Sequence, residues 1–335
     1  MKGEKTVGKR LFVFMAIAVL ALPAVLMPFR VDIRSYRADA ITSPADRLAL
    51  RNAAITGRSR LLALIGETGS RQVVAGKEGF LFFADTLDDF QHGGLTDAEI
   101  AALTEKLLAL QQVLAQEGRR LVVLVAPNKN AVYPEMMPPH ILPSEKDGLA
   151  RVNTALASAG LNVLDAQAVL LAGKQEGLLY FKGDSHWNAR GARLVYQELM
   201  RLTETAAPDY AGAALLDGRA GDLTLLCQPG TAPVEPDAEP DIQRAYRTQR
   251  PMRSLNDARI QTSSGTTELT MLVVRDSFGE GLFPYLANTA GKLVFSRSDK
   301  DVAQQAGDAQ ADWVVVEVVQ RNLRDWLLDG ALVPS

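Results

Sequence analysis

Between Thr96 and Val125 the chain shows two hydrophobic rhythms in succession. Ile100, Leu103, Leu107, Leu110 and Leu114 recur at intervals of three and four, which places them on one face of a helix. Thr96-Asp97-Ala98-Glu99 stands before them as a capping box, so the helix is predicted to open there. Leu121 to Val125 is then uninterruptedly apolar, the pattern of a strand covered on both faces. The alternation continues with a helix over Gly148 to Gly160, strands over Leu161 to Leu164 and Leu178 to Phe181, and a helix over Ala189 to Leu202. Further on come strand Leu269 to Val274, a helix after Ser277, strand Lys292 to Phe295, a short helix, and strand Trp313 to Val319. Helices alternating with apolar strands predict an α/β fold with a mostly parallel sheet flanked by helices.

The flanks and one interior stretch break this rhythm. Val73 to Gly76 and Gly79 to Phe83 read as a hairpin turning at Lys77-Glu78-Gly79. From Ser43 to Gly66 the apolar positions keep a loose helical spacing, and the segment 30–72 is predicted to form a helical stalk. Ahead of it, Leu11 to Phe29 is a run of nineteen uncharged residues preceded by Lys2, Lys5, Lys9 and Arg10. At about 1.5 Å per helical residue it matches the hydrocarbon thickness of a bilayer. The expectation is one uncleaved transmembrane helix over 11–29, with residues 1–10 cytoplasmic and the rest in the periplasm, tethered to the inner membrane. A cleaved signal peptide is the alternative. The stretch from about 228 to 267 carries Pro229, Pro233, Pro236, Pro240 and Pro251 among polar residues and reads as a long loop or insertion. The catalytic domain is placed over 73–330. No internal repeat is visible.

Composition narrows the classes. The chain has 335 residues, 47% hydrophobic and 22% charged, which is ordinary globular composition. A net charge of −3 gives no basic face for nucleic acid. Cys227 is the only cysteine, so an internal disulfide is excluded. Three scattered histidines, 92, 140 and 186, provide no zinc spacing, and neither metal nor cofactor is expected. His92 and His140 sit in turn-like contexts and read as solvated loop residues.

Candidate chemistry lies in two places. Lys182-Gly183-Asp184-Ser185-His186-Trp187-Asn188 sets a carboxylate two residues from an imidazole, just before a helical pattern. In extended backbone residues two apart project to the same side, so Asp184 and His186 are predicted to lie together beyond strand Leu178 to Phe181. About ninety residues on, strand Leu269 to Val274 ends in Arg275-Asp276-Ser277-Phe278-Gly279. A serine hydroxyl becomes nucleophilic when a base takes its proton and a carboxylate orients that base. Asp184, His186 and Ser277 supply those parts, and the carboxyl edge of an open α/β sheet is where they could meet. The helix after Ser277 would offer backbone N–H groups to an oxyanion. Simple helix capping by Asp184, Ser185, Asn188 or Asp276 accounts for the same residues equally well. Glu317 interrupts the run Val314 to Val319, and a buried carboxylate there needs a partner, with Arg275 and Arg321 as candidates.

Five segments taken in order carry a resemblance: Gly76 to Phe82, Pro127 to Glu135, Asp184 to Asn188, Gly221-Asp222-Leu223, and Arg275 to Phe278. Over about Val73 to Leu323 the chain resembles the AlgJ/AlgX-like alginate O-acetyltransferases, which are SGNH hydrolase-like with a flavodoxin-like sheet. The resemblance implies Ser277 as nucleophile, His186 as general base and Asp184 as the carboxylate that orients it. Oxyanion or substrate contacts are expected from the Ser277 amide, Phe278, Asn128, Lys129, Asn130 and Arg275. Arg275 stands where many SGNH enzymes have glycine. The resemblance also implies an exopolysaccharide acceptor such as alginate, a membrane-bound O-acyltransferase as acetyl donor, and a polysaccharide biosynthesis complex. An acetyl esterase with the same triad and a non-catalytic polysaccharide-binding scaffold are the rival readings. The long loop is poor in aromatic residues and offers no stacking signature for the acceptor.

Overall fold

A computed structural model describes residues 44–63, 68–206, 208–210, 213–229, 232–240, 242–264 and 266–330. The run 11–29 and the first part of the proposed stalk lie outside them. Among the described residues no helix is long and apolar enough to cross a membrane. The chain divides into a small unit, residues 1–71 with 225–232, and a large one, 72–224 with 233–335. The small unit contains helix α1 (Pro44–Ala63), whose Thr56 hydroxyl donates to the Pro229 carbonyl at 3.4 Å.

The large unit opens with hairpin β1 (Val73–Ala75) and β2 (Leu81–Phe83), paired Val73↔Phe83 to Ala75↔Leu81 as the sequence predicts. Its turn places Glu78 at φ 54° and Gly79 at φ 82°. Helix α2 (Leu87–His92) follows, so the exposed His92 ends a helix instead of sitting in a loop. Helix α3 (Asp97–Gln116) starts at the expected capping box, with Thr96 and Glu99 each accepting the other's backbone N–H. Then come β3 (Arg120–Ala126), α4 (Lys129–Val132), α5 (Gly148–Ser158), β4 (Val163–Leu164), α6 (Ala166–Gly173) and α7 (Ala189–Leu202).

Strand β5 (Ala213–Ala220) and helix α8 (Asp222–Cys227) precede the stretch read as a long loop. That stretch holds three strands: β6 (Val234–Pro240), β7 (Tyr246–Thr248) and β8 (Arg259–Ser264). β6 pairs antiparallel with β5, while β7 and β8 extend the main sheet. Short polar strands joined by prolines lack the apolar run or clean alternation that announces a strand, which is why the sequence reads as loop. β9 (Thr270–Val274), α9 (Phe283–Thr289), β10 (Lys292–Ser296), α10 (Val302–Ala309) and β11 (Trp313–Val319) complete the unit.

The main sheet has seven strands in the order β4-β3-β11-β9-β10-β8-β7. The pairings from β4 through β10 are parallel, and those of β8 with β10 and β7 are antiparallel. The sheet is therefore mixed, with a parallel centre. Alternate residues of each central strand enter different cores, since side chains alternate across a sheet. Leu121, Val123 and Val125 pack with Leu103, Leu107 and Leu110 of α3, while Val122, Leu124 and Ala126 join Tyr196 and Leu199 of α7.

The segment Leu178 to Phe181 departs from expectation. It forms a single bridge, Tyr180 with Trp187, and is not a strand of the sheet. Its end and the residues just after it bond elsewhere: Lys182 O accepts the Leu81 amide at 2.9 Å, and the Lys129 ammonium takes the carbonyls of Phe181, Lys182 and Asp184. Asp184 and His186 thus lie in an irregular loop whose ends are pinned together.

Candidate active site

β3, β9 and β11 end at one edge of the sheet, and each continues into a segment with polar side chains. After β9 the chain turns through Arg275 and Asp276 to Ser277, which precedes the short helical turn Phe278–Gly281. Asp276 braces this turn. Its Oδ1 accepts the Phe278 amide at 2.9 Å, and its Oδ2 accepts the Val319 amide at 2.8 Å and the Asn322 side chain at 3.0 Å. A Cβ on Gly279 would approach Arg275 Cβ to 2.7 Å and Glu317 Oε2 to 2.9 Å, so the turn depends on a glycine there.

The pinned loop brings His186 to the serine. His186 Nε2 lies 2.9 Å from Ser277 Oγ, and Nδ1 lies 2.7 Å from Asp184 Oδ1. The same carboxylate oxygen accepts the His186 amide at 2.9 Å, and Asp184 Oδ2 accepts the Asp222 amide at 3.2 Å. Burial pushes the Asp184 carboxyl up, but the hydrogen bond and charge of His186, the Arg219 guanidinium 3.4 Å away and the His186 amide outweigh it. The carboxyl is held well below the usual carboxylate range. An acceptor of that kind fixes the Nδ1–H tautomer and leaves Nε2 free to take the hydroxyl proton. Helix capping proves to be a concurrent role here, since Asn188 Oδ1 accepts the Gly191 amide at 3.0 Å.

The remaining candidates are placed differently. Phe278 has its amide engaged by Asp276 and its ring 4.8 Å from the His186 ring, so it shapes the site and its N–H is committed. Among the described residues no hydrogen bond is made by the Ser277 amide, which leaves it available to an oxyanion. Asn128, Lys129 and Asn130 are buried. Asn128 Nδ2 donates to Asp89 Oδ2 at 2.8 Å, and Asn130 Nδ2 donates to Thr86 Oγ1 at 2.9 Å. Lys129 donates to the carbonyls of Phe181, Lys182 and Asp184. Arg275 is fully buried, donating to the Leu255 and Asp276 carbonyls and to Glu280 at 3.2 Å, with its guanidinium over the Phe295 ring. These four side chains brace the framework and do not line the cleft at Ser277. Their donors are largely engaged inside the fold, and the unpartnered Arg275 Nε and Asn128 Oδ1 are buried outside the lining of that cleft.

Sequence reasoning gave no role to Arg219 or Glu235, offered Ser185 as a helix cap, and placed Asp222 in the segment Gly221-Asp222-Leu223. Asp222 Oδ2 accepts the Ser185 hydroxyl at 2.6 Å and lies 3.6 Å from His186 Nδ1. Glu235 accepts the amides of Lys182 at 2.7 Å and Gly183 at 2.5 Å, which holds the loop from β6. A Cβ on Gly221, in that segment, would run into the Gly183 carbonyl. Arg219 and Glu235 lie on β5 and β6, which carried no signal. Asp184, His186 and Asp222 bring ligand-type atoms within 4.8 Å of one another. Those atoms already serve the hydrogen bonds above, and the Arg219 cation faces them, so the group suits proton handling better than a metal.

Ser277 and His186 open into a cleft of about 630 Å³. Its walls include Phe181, Trp187, Tyr246, Phe283 and Tyr285, aromatic residues gathered from separate segments, with Arg219, Arg244 and Glu280. Arg219 stacks over Phe181 at 5.0 Å and Arg244 over Tyr246 at 4.5 Å. Arg244, Arg247, Arg250 and Arg253 are all exposed, a basic strap on a chain of net negative charge. A larger open groove of 1120 Å³ between α3 and α5 contains none of the residues at Ser277.

Residues 73–300 match the family model described as SGNH hydrolase-like domain, acetyltransferase AlgX. The chain belongs to this family. It is 29% identical over 141 residues to the probable alginate O-acetylase AlgJ of Pseudomonas syringae pv. tomato, covering 42% of this chain and 35% of that protein. With the probable alginate O-acetylase AlgJ of Pseudomonas aeruginosa it shares 30% over 132 residues, 39% of this chain and 33% of the relative. The chain thus spans about a third of the length of the curated relatives it matches. In fold it is similar to a DHHW family protein from Eubacterium siraeum, with TM-score 0.59 and 12% identity over 78% of this chain and 99% of the other. Bacillus cereus PatB1 gives TM-score 0.58 and 18% identity over 75% and 96%. At these identities the structures speak for the fold alone.

Proposed function

We propose that the protein is a polysaccharide O-acetyltransferase that works through an acetyl-serine at Ser277. The 2.9 Å contact between His186 Nε2 and Ser277 Oγ, with Asp184 on the far side of the imidazole, carries this reading. In the first step Oγ attacks the carbonyl carbon of an acetyl ester, and its proton passes to Nε2. The tetrahedral oxyanion is held by the Ser277 amide, and the donor's alcohol leaves with the proton from Nε2. A sugar hydroxyl then gives its proton to Nε2 and attacks the acetyl-serine, which returns the free serine.

An aromatic cleft with two arginines suits a sugar chain with anionic groups better than a small neutral acceptor. The relatives' name, alginate O-acetylase, points to an exopolysaccharide such as alginate. Within this reading, Leu11 to Phe29 anchors the chain in the inner membrane, 30–72 forms a stalk, and the domain over 73–330 acts in the periplasm. The acetyl donor is then a membrane-bound O-acyltransferase of a biosynthesis complex, since the periplasm holds no acetyl-CoA.

The test incubates the protein with 4-nitrophenyl acetate and uronate or neutral oligosaccharides. Mass increments of one acetyl group on the sugar, absent with Ser277→Ala, are expected. Free acetate without acetylated sugar would assign an esterase. No adduct at Ser277 with a serine-reactive phosphonate would leave a binding scaffold.

A further inference from the structure

Lys129 is a buried cation with three hydrogen bonds, and no step above uses it. It opens α4 after β3, it is 4% exposed, and its ammonium points away from the cleft into the back of the loop 181–184. Nζ lies 3.0 Å from Phe181 O, 2.9 Å from Lys182 O and 2.6 Å from Asp184 O. The last of these is the backbone carbonyl of the residue whose carboxylate holds His186.

We propose that Lys129 is a positioning residue for acyl transfer, its three-proton ammonium clamping the backbone of the loop 181–184 so that Asp184 stays aligned on His186. The clamp rests on the acetyl-serine reading for its catalytic meaning. An ammonium donates three hydrogen bonds and a neutral amine two, so the three contacts form together only in the charged form. Loss of a proton gives up one of the three contacts; Lys182 O keeps the Leu81 amide, whereas Phe181 O and Asp184 O depend on the ammonium. Other restraints act on the same loop, where the Gly183 carbonyl accepts the Thr224 amide and hydroxyl, each at 3.0 Å. Tyr180 pairs with Trp187 at its base, the Leu81 amide shares Lys182 O, and Glu235 holds the amides of Lys182 and Gly183.

The surroundings make the ammonium labile. Burial pushes Lys129 down to about 7, against the charges of Asp184 in the loop, Asp222 on α8 and Glu235 on β6. From the hairpin only the Phe80 and Phe82 rings face it, at 5.9 and 5.4 Å. The other cations nearby serve different partners: Lys182 Nζ donates to Glu78 O, and Arg219 sits 3.4 Å from the Asp184 carboxylate. Asn130, its neighbour on α4, is uncharged and bonded to Thr86. Deprotonation near neutrality therefore loosens the Asp184–His186 pair and places a falling alkaline limb on the acylation rate.

Acylation by 4-nitrophenyl acetate, followed from pH 6 to 9 and normalised to folded protein, tests the clamp in wild type, Lys129→Met and Lys129→Gln. Misplacing the pair by about 1 Å costs on the order of tenfold or more in rate. Lys129→Met is expected to lower the acylation rate by at least about tenfold with KM for the ester within about twofold, and to lack the wild-type fall above neutral pH. A second readout does not depend on turnover. The downfield proton resonance of His186 Nδ1–H should be present in wild type, fade as pH rises past neutrality, and be lost in Lys129→Met. Equal rates and the same pH profile in Lys129→Met, with the resonance intact, would overturn the clamp. Absence of acylation in wild type would overturn the acetyl-serine reading alone, and the resonance would still decide for or against Lys129.

Discussion

Glu317 Oε2 accepts the amide of Asp276 at 3.2 Å, inside the turn that delivers Ser277. The sequence marked Glu317 as a buried acid in need of a partner and offered Arg275 or Arg321. Neither guanidinium bonds to it among the described residues. Arg275 is taken by carbonyls and Glu280, and Arg321 lies over the Phe83 and Phe278 rings. Burial, reinforced by the charge of Asp276, pushes the Glu317 carboxyl well above its ordinary range and favours its neutral form. A neutral acid can brace the turn without a counter-ion.

Glu317→Gln should therefore fold with stability within about 1 kcal/mol of wild type and keep phosphonate labelling at Ser277. Glu317→Ala leaves the Asp276 amide unpaired beside a cavity and should cost about 2–4 kcal/mol in denaturant unfolding. Equal losses in the two variants would mean that the charged form is required.

Removal of Asp184's carboxylate charge should separate orientation from nucleophilicity. Asp184→Asn is expected to slow acylation by roughly 10²- to 10⁴-fold, because the imidazole loses the acceptor that fixes its tautomer. Retention of more than a tenth of the rate would argue against the orienting role.

The depressed carboxyl of Asp184 also has a sign in acid. Its folded-state value lies below its unfolded one, so its contribution to stability is complete above the ordinary carboxylate value. That contribution is lost as pH falls through the lower folded value. Urea midpoints measured from pH 5 down to pH 2 should fall less steeply in Asp184→Asn than in wild type.

Asp89 should behave in the opposite way. Burial pushes its carboxyl up to about 6 against the hydrogen bond from Asn128, so ionisation above that pH works against the fold. Asp89→Asn keeps an oxygen for the Asn128 donor. It should stabilise the protein at pH 7.5 by on the order of 1–2 kcal/mol, after allowance for solvent contact, and have little effect at pH 4. Thermal unfolding at the two pH values provides the check.

Arg244 is exposed at the cleft and stacked on Tyr246, away from the bonds of His186. Arg244→Ala should raise KM for a uronate oligosaccharide about three- to tenfold while leaving acylation by 4-nitrophenyl acetate within about twofold. An equal effect on both reactions would remove the strap from acceptor binding.

Chain pattern alone determined the class of this protein and the local elements with strong periodicity. The capping box at Thr96, the α3 stripe, and the apolar strands β3, β9, β10 and β11 were legible because burial on one helix face or on both sheet faces writes itself into residue order. The chemical types at Asp184, His186 and Ser277 were legible too, since an acid, a base and a hydroxyl are needed whatever the fold. Tertiary structure decided the rest. It joined His186 to Ser277 across 91 residues, turned Leu178 to Phe181 out of the sheet, and made β6, β7 and β8 from a stretch of prolines and polar residues. It also moved Lys129, Asn128, Asn130 and Arg275 from the substrate side to the framework. Those outcomes depend on which buried donor meets which carbonyl in space, and hydrogen-bond satisfaction between distant segments leaves no period in the sequence.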